Sequence, residues 1–484
     1  MFHITTEPFV LLYNLVYSIH MIVLPQLVLK KSCNQLYNST ICNDIHDLKY
    51  KSEQDIVQKH AALWIMALLM STLLPSLFTV LIWGPVTDII GRKRAIAIPP
   101  IFLCLQSLIY LLNCTKFMSS PPSYLIFGAM VTSVYGDFQG AYAIAYSYLA
   151  DVTEKSSQRT MRMGILEGIM FISGAPAGII SGFLLQRLGF GPVFIATACT
   201  SLLMFIYVFC ILPPPEKLKP KTQSLPSCVG DSFSEARKQV PDEETPIMVE
   251  ADKPASLLSV IRASMNPLVH LKMVYSVIMN SKARCLLVSM LISFGLSLVS
   301  ICGELYITVL FVTHHPFTLS PEQIGYYMAF MSVARGLGAM LLPQIAIRCF
   351  KLSDCMLVLF GLLSQTSNYI LVALSNSKMM LYLSTISGIG IGLATSGIRS
   401  IITKQVSDES HGSILASIEF LDVFGGILGN VMANGIYNGT VSYFPGMAFF
   451  VLGTFSASSF VIVLFVWFCC RPEPENENLF VEEQ

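Results

Sequence analysis

The chain has 484 residues, 54% hydrophobic and 12% charged, with a formal net charge of +0 and a mean hydropathy of +0.63. A soluble chain carries about twice that share of charge, so the composition describes a polytopic membrane protein, and the balanced charge gives no footing for a nucleic-acid partner. The 13 cysteines are mostly scattered through apolar stretches as small hydrophobes, and no C-x-x-C metal pattern occurs.

Twelve apolar stretches follow one another: Pro8–Leu29, Ala62–Trp83, Ala95–Leu112, Ser123–Leu149, Met163–Leu185, Pro192–Leu212, Cys285–Phe311, Ile324–Ile347, Ser353–Leu374, Met380–Ile401, Gly412–Ala433 and Gly446–Phe468. Each is long enough for a helix across a ~30 Å hydrocarbon core. They predict an all-α membrane protein with an N-terminal six-helix half over 1–212, a cytoplasmic linker over 213–283, a C-terminal six-helix half over 284–470 and an acidic cytoplasmic tail over 471–484. The first stretch is long enough to span, so no cleavable signal peptide is expected.

Arg92–Arg94, Lys155–Arg162, the linker, Arg348–Lys351 and Lys404 fall on one side. The bias of Lys and Arg makes that side cytoplasmic, together with both termini. The opposite side carries three N-glycosylation patterns, at Asn38, Asn113 and Asn438. Its first loop, Lys30–His60, reads as long and polar, and holds Cys33 and Cys42, candidates for a local disulfide in an oxidising lumen. His314 and His315 also lie on this side; solvated rings are the plain reading, pH sensing the sharper one.

Between the second and third stretches the chain reads Gly84-Pro-Val-Thr-Asp88-Ile-Ile-Gly91-Arg92-Lys-Arg94. The cations anchor a short cytoplasmic loop, but a basic anchor alone does not account for Gly84, Asp88 and Gly91. Asp151 is a candidate partner for Arg92.

Ionisable residues inside spans are costly and read as functional. Asp137 lies deep in the fourth stretch within Gly136-Asp-Phe-Gln-Gly140, and Glu167 about one turn into the fifth. An acid in a low-dielectric cavity resists ionisation, so either could take up a proton at mildly acidic pH; an interhelical hydrogen bond or ion pair is the alternative for Asp137. In the second half, Glu304 and Arg335 lie mid-span in the seventh and eighth stretches, Arg399 ends the tenth, and Glu419 and Asp422 share nearly one face of the eleventh. Arg335 could pair with Glu304 or bind a substrate carboxylate, and Arg399 could simply snorkel to the membrane edge. No H-E-x-x-H, catalytic Asp pair or nucleotide-binding loop points to an enzyme.

The pattern G-x-x-x-D-x-x-G-R-K-R from Gly84 to Arg94 resembles the loop between helices 2 and 3 of the major facilitator superfamily, where the acid and the Arg latch one conformation. Further along, Gly136-Asp-Phe, Ala150-Asp-Val, Arg159-Thr-Met-Arg-Met, Leu166-Glu, Ile398-Arg399 and Asn434-Gly-Ile-Tyr-Asn-Gly-Thr440 resemble solute carrier family 46, which contains the proton-coupled folate transporter. That likeness implies a secondary transporter without a bound cofactor, using the proton as coupling ion and a small organic anion as substrate, in the plasma or lysosomal membrane. It makes the acid at Asp137 necessary for transport and ties Glu167 to proton coupling, which leaves both as the proton-coupling candidates. It places functional weight on Arg92 and Arg399, leaves Arg335, Glu304, Glu419 and Asp422 as substrate-site candidates, and makes Gly84, Asp88, Gly91, Arg92 and Asp151 the latch. The chain departs from the folate transporter in three places. No His occurs in Ser297–Ser300, Ala129 stands where that protein has an Arg, and no Cys occurs in Thr313–Gln323, which directs any bridge to Cys33–Cys42. These departures weaken folate as the substrate and suit the lysosomal branch, whose members handle peptidoglycan fragments, cyclic dinucleotides or amphipathic catabolites. A proton-driven exporter and a non-transporting receptor or scaffold are the competing readings.

Overall fold

A bilayer offers no water to the backbone, so each spanning segment satisfies its own N–H and C=O groups by becoming a helix. The computed structural model describes residues 6–45, 47–115, 117, 120–152, 156–214, 279, 284–350, 353–404 and 411–469. In the first half it contains α1 (Glu7–Leu36), α2 (Lys51–Ile90), α3 (Ile98–Thr115), α4 in two pieces (Leu125–Ser133 and Asp137–Val152), α5 (Ser156–Leu188) and α6 (Phe190–Ile206). The second half contains α7 (Arg284–Thr313), α8 (Pro321–Phe350), α9 (Asp354–Ala373), α10 (Lys378–Ser387, a 3-10 turn at Gly388–Gly390, then Ile391–Lys404), α11 (His411–Thr440) and α12 (Met447–Cys469). Among the described residues ten segments are long and apolar enough to cross a membrane. The other two are the broken α4 and α11, whose 30 residues reach about 45 Å at the helical rise. Nearly all of the expected linker and tail lies outside the described residues.

The expected long outer loop is much shorter than the sequence suggests. α1 continues to Leu36 and α2 already begins at Lys51, leaving a connection that holds the short helix Ser39–Asn43 and a 3-10 turn at Leu48–Tyr50. The added turns are polar in composition yet packed: Lys31, Cys33, Gln54, Val57 and Gln58 are all buried. Hydropathy ends a span at its first polar run, whereas a helix end that packs on other helices carries polar residues without unwinding.

The two halves meet along α5 with α8 and along α2 with α11 and α7. Hydrogen bonds join them at the end that bears Cys33 and Cys42, called here the disulfide end. Gln54 donates to the Thr313 carbonyl (3.3 Å), Gln58 to the Thr313 hydroxyl (3.2 Å), Asn438 to the Lys59 carbonyl (3.1 Å) and Asn430 to the Met66 carbonyl (3.0 Å). Between α5 and α8 the backbones nearly touch at Gly178 and Gly325.

α4 breaks because the chain turns left-handed there: Gly136 has φ +86° and Asp137 φ +50°. A left-handed Asp is uncommon and strained, and such strain persists where surrounding structure enforces it. Gly140 closes the break, since a Cβ on it would collide with the Tyr135 carbonyl oxygen. Relieving that overlap needs a backbone shift costing about 1–3 kcal/mol or more. Gly140→Ala should therefore reduce the yield of monodisperse protein at least about fivefold by fluorescence size-exclusion. Wild-type yield and Tm would show that the break is not constrained in this way.

Candidate functional site

The strained start of the second piece of α4 carries Asp137 to the wall of a cavity of about 50 Å³ between helices, with room for a few waters. Tyr17 and His20 of α1, Gln106 and Tyr110 of α3 and Tyr306 of α7 share that wall, so the cavity touches both halves. The Asp137 carboxylate is 8% exposed and accepts hydrogen bonds from the Thr132 hydroxyl and the Phe138 backbone N–H. His20 is satisfied as a neutral ring: Nδ1 lies 3.0 Å from the Gln106 carbonyl oxygen, and Nε2 faces the hydroxyls of Thr197 (3.3 Å) and Ser107 (3.2 Å). Next to them Tyr17, Phe138 and Tyr142 form an aromatic run with centroids 4.8 and 4.7 Å apart, and Tyr142 accepts a hydrogen bond from Asn14.

Among the described side chains, the other intramembrane charges are paired. Arg335 Nη2 donates to Glu304 Oε1 at 2.5 Å inside the second half, and Asn368 donates to the same oxygen at 3.4 Å. Glu304 Oε2 and Arg335 Nε are buried without a hydrogen-bond partner among the described residues. Arg399 donates to Asp422 at 2.6 Å and lies 5.5 Å from the Phe294 ring centre, so it does not merely snorkel. Asp422 is within electrostatic reach of Cys302, and Tyr306 and Tyr17 are within reach of both Cys302 and Asp137. Near the Gly91 end, Arg92 donates to Asp151 at 2.8 Å and also to the Thr87 hydroxyl, while Arg162 donates to Glu7 at 2.7 Å. Among the described residues, Asp137 is therefore set apart as a buried intramembrane acid with no cation at ion-pair distance.

Of the remaining sequence candidates, Gly84 and Asp88 lie on α2, and Gly91 ends that helix with φ +88°. Glu167 lies on α5 and Glu419 on α11; the side chains of Asp88, Glu167 and Glu419 lie outside the described residues. Cys33 and Cys42 are joined by a disulfide. Asn38 is exposed, and Asn438 is tied to α2 through the Lys59 carbonyl. Asn113 is 5% exposed in the last turns of α3 and donates to the Ile109 carbonyl at 3.0 Å. Sequence reasoning did not place Tyr17, His20, Gln106 and Tyr306 at the cavity. The available signal was Gln106, an amide in the middle of an apolar stretch.

Two helical halves packed around a cavity that both of them line have the architecture of a polytopic secondary transporter. The chain belongs to the Major Facilitator Superfamily, whose family model matches residues 9–364 and 285–483. It is 23% identical over 490 residues to the chicken lysosomal proton-coupled steroid conjugate and bile acid symporter SLC46A3, covering 99% of this chain and 97% of that protein. It is 28% identical over 148 residues to the bovine proton-coupled folate transporter, covering 30% of this chain and 32% of that one. The crystal structure of the human organic anion transporter MFSD10 superposes with a TM-score of 0.62 at 14% identity, covering 95% of this chain and 97% of that chain, which establishes the shared fold.

Proposed function

We propose that this protein is a member of solute carrier family 46 that carries an amphipathic organic anion together with protons, the disulfide end facing an acidic lumen or the cell exterior and the Gly91 end facing the cytoplasm. The observation that supports this most is Asp137, a strained, buried carboxylate on the cavity wall with hydrogen-bond donors and, among the described residues, no cation beside it. An acid so placed exchanges a proton at low energetic cost when the cavity changes its exposure. Glu167 serves as the second coupling acid. Arg399, and Arg335 with its unpartnered Nε, supply guanidinium groups for a carboxylate, sulfate or phosphate, with Glu304, Glu419 and Asp422 tuning them. The aromatic run at Tyr17, Phe138 and Tyr142 offers a face for a ring system. Relatives named as steroid conjugate and bile acid symporters make such amphipathic anions the first substrates to try. The halves at 1–212 and 284–470, joined by the 213–283 linker, rock about the central cavity, and the Arg92–Asp151 pair, with Gly84, Asp88 and Gly91, latches the cytoplasmic side. Asn38, and less readily Asn438, would carry glycans.

The test is uptake into cells bearing the protein at the surface, at pH 5.5 and 7.4, of a labelled steroid sulfate, a bile acid, folate and a muramyl dipeptide. We expect acid-stimulated uptake of a steroid sulfate or bile acid, reduced at least about tenfold in Asp137→Asn at equal surface abundance. Equal uptake by the variant, or uptake indifferent to pH, would overturn the coupling assignment. No uptake of any of the four would overturn the substrate class and direction.

A further inference from the structure

His314 is the first residue after α7, at the disulfide end, and it is 2% exposed instead of solvated. Its Nδ1 lies 2.8 Å from the carbonyl oxygen of His315, and its Nε2 lies 2.7 Å from Oδ1 of Asp55 on α2. The carbonyl is an acceptor only, and so is an ionised carboxylate. A neutral imidazole has a single N–H. Whichever nitrogen carries it, the other lone pair then points at an oxygen. The arrangement is satisfied when the His314–Asp55 pair holds one proton more than a neutral ring plus a carboxylate. His20 makes the contrast, because its Nε2 faces hydroxyls, which can donate as well as accept, and no carboxylate.

The pair also bridges the halves. Asp55 sits between Gln54 and Gln58, which bond Thr313, and α2 continues to Lys59, whose carbonyl holds Asn438 of α11. We propose that His314 and Asp55 form a proton-binding latch that closes the seam between the halves at the disulfide end, binding of the proton sealing that end and its loss loosening it. The latch is separate from Asp137 and does not depend on the identity of the substrate. Among the described residues, two other titratable groups face it. Tyr437 of α11 lies 3.5 Å from Gln58 and within electrostatic reach of Asp55, but a phenol does not titrate between pH 5 and 8. His315 is the other, with its ring centre 6.4 Å from that of His314.

Hydrogen–deuterium exchange of the purified full chain, corrected for the intrinsic pH dependence of exchange, reads the seam without transport. In the wild type, peptides covering 51–60 and 310–320 should be about tenfold less protected at pH 7.5 than at pH 5.5, the scale of one charge-assisted hydrogen bond. Asp55→Asn is the decisive variant. Its carboxamide donates to Nε2 of the neutral ring while Nδ1–H serves the His315 carbonyl, so the seam should be protected at both pH values. His314→Ala should be poorly protected at both. His315→Gln, which keeps the carbonyl, should retain the wild-type response. Equal wild-type protection at both pH values would overturn the latch. So would a wild-type pH response persisting in Asp55→Asn, or one abolished in His315→Gln, since the titrating group would then lie elsewhere.

Discussion

Gly178→Val should reduce transport at least about tenfold while the protein reaches the membrane in near wild-type amount. A Cβ at Gly178 would lie 2.5 Å from the Gly325 carbonyl oxygen and 2.9 Å from the Ala329 nitrogen. Both are backbone atoms of the opposite half, so no side-chain rotation relieves the overlap. The halves must separate there, at a cost of about 1–3 kcal/mol for the added methyls, and every 1.4 kcal/mol moves a conformational equilibrium tenfold. Each half retains its own packing, because the contact lies between the halves. The cost therefore falls on the sealed state and not on folding. Uptake with parallel surface biotinylation measures the first effect, and exchange protection over 321–332 the second, expected to fall. Wild-type uptake and protection in this variant would mean that the α5–α8 approach is not required in the transport cycle.

The second large effect concerns the pair in the C-terminal half. Arg335→Met leaves Glu304 buried without its guanidinium, and breaking a buried ion pair by removing one partner costs about 3–5 kcal/mol. This variant should show a sharp loss of folded yield and a lower Tm. The double variant Glu304→Gln/Arg335→Met removes both charges while keeping the volume, and should recover most of the yield, because replacing a whole buried pair is often neutral. Transport should stay at least about tenfold below wild type in the double variant if the unpartnered Arg335 Nε and Glu304 Oε2 are there to meet substrate or a proton. A double variant that folds and transports normally would make the pair scaffolding and leave Arg399 as the anion-binding candidate.

The spans were legible because a bilayer imposes one length and one polarity on each of them, and the intramembrane charges were legible because they are rare there. Helix ends were not: the polar turns of α1 and α2 at the disulfide end gain their stability from packing that hydropathy does not register. Gly136 and Gly140 flank Asp137 in the sequence, but the left-handed turn that presents Asp137 depends on the path of the chain around Tyr135. Pairing was ambiguous for a similar reason. Glu304 and Arg335 are 31 residues apart on different helices, so their 2.5 Å contact is a tertiary fact. His314 was misjudged as solvated because polar residues just outside a helix usually are; the extra turns of α2 bring Asp55 over it.

Proton coupling through Asp137 is tested most directly in liposomes containing the purified protein and an internal pH dye. A steroid conjugate gradient is imposed with no initial pH difference. Inward movement of substrate should acidify the interior in the wild type and fail to do so in Asp137→Asn. Substrate entry without acidification in the wild type, or acidification at the wild-type rate in the variant, would contradict the account.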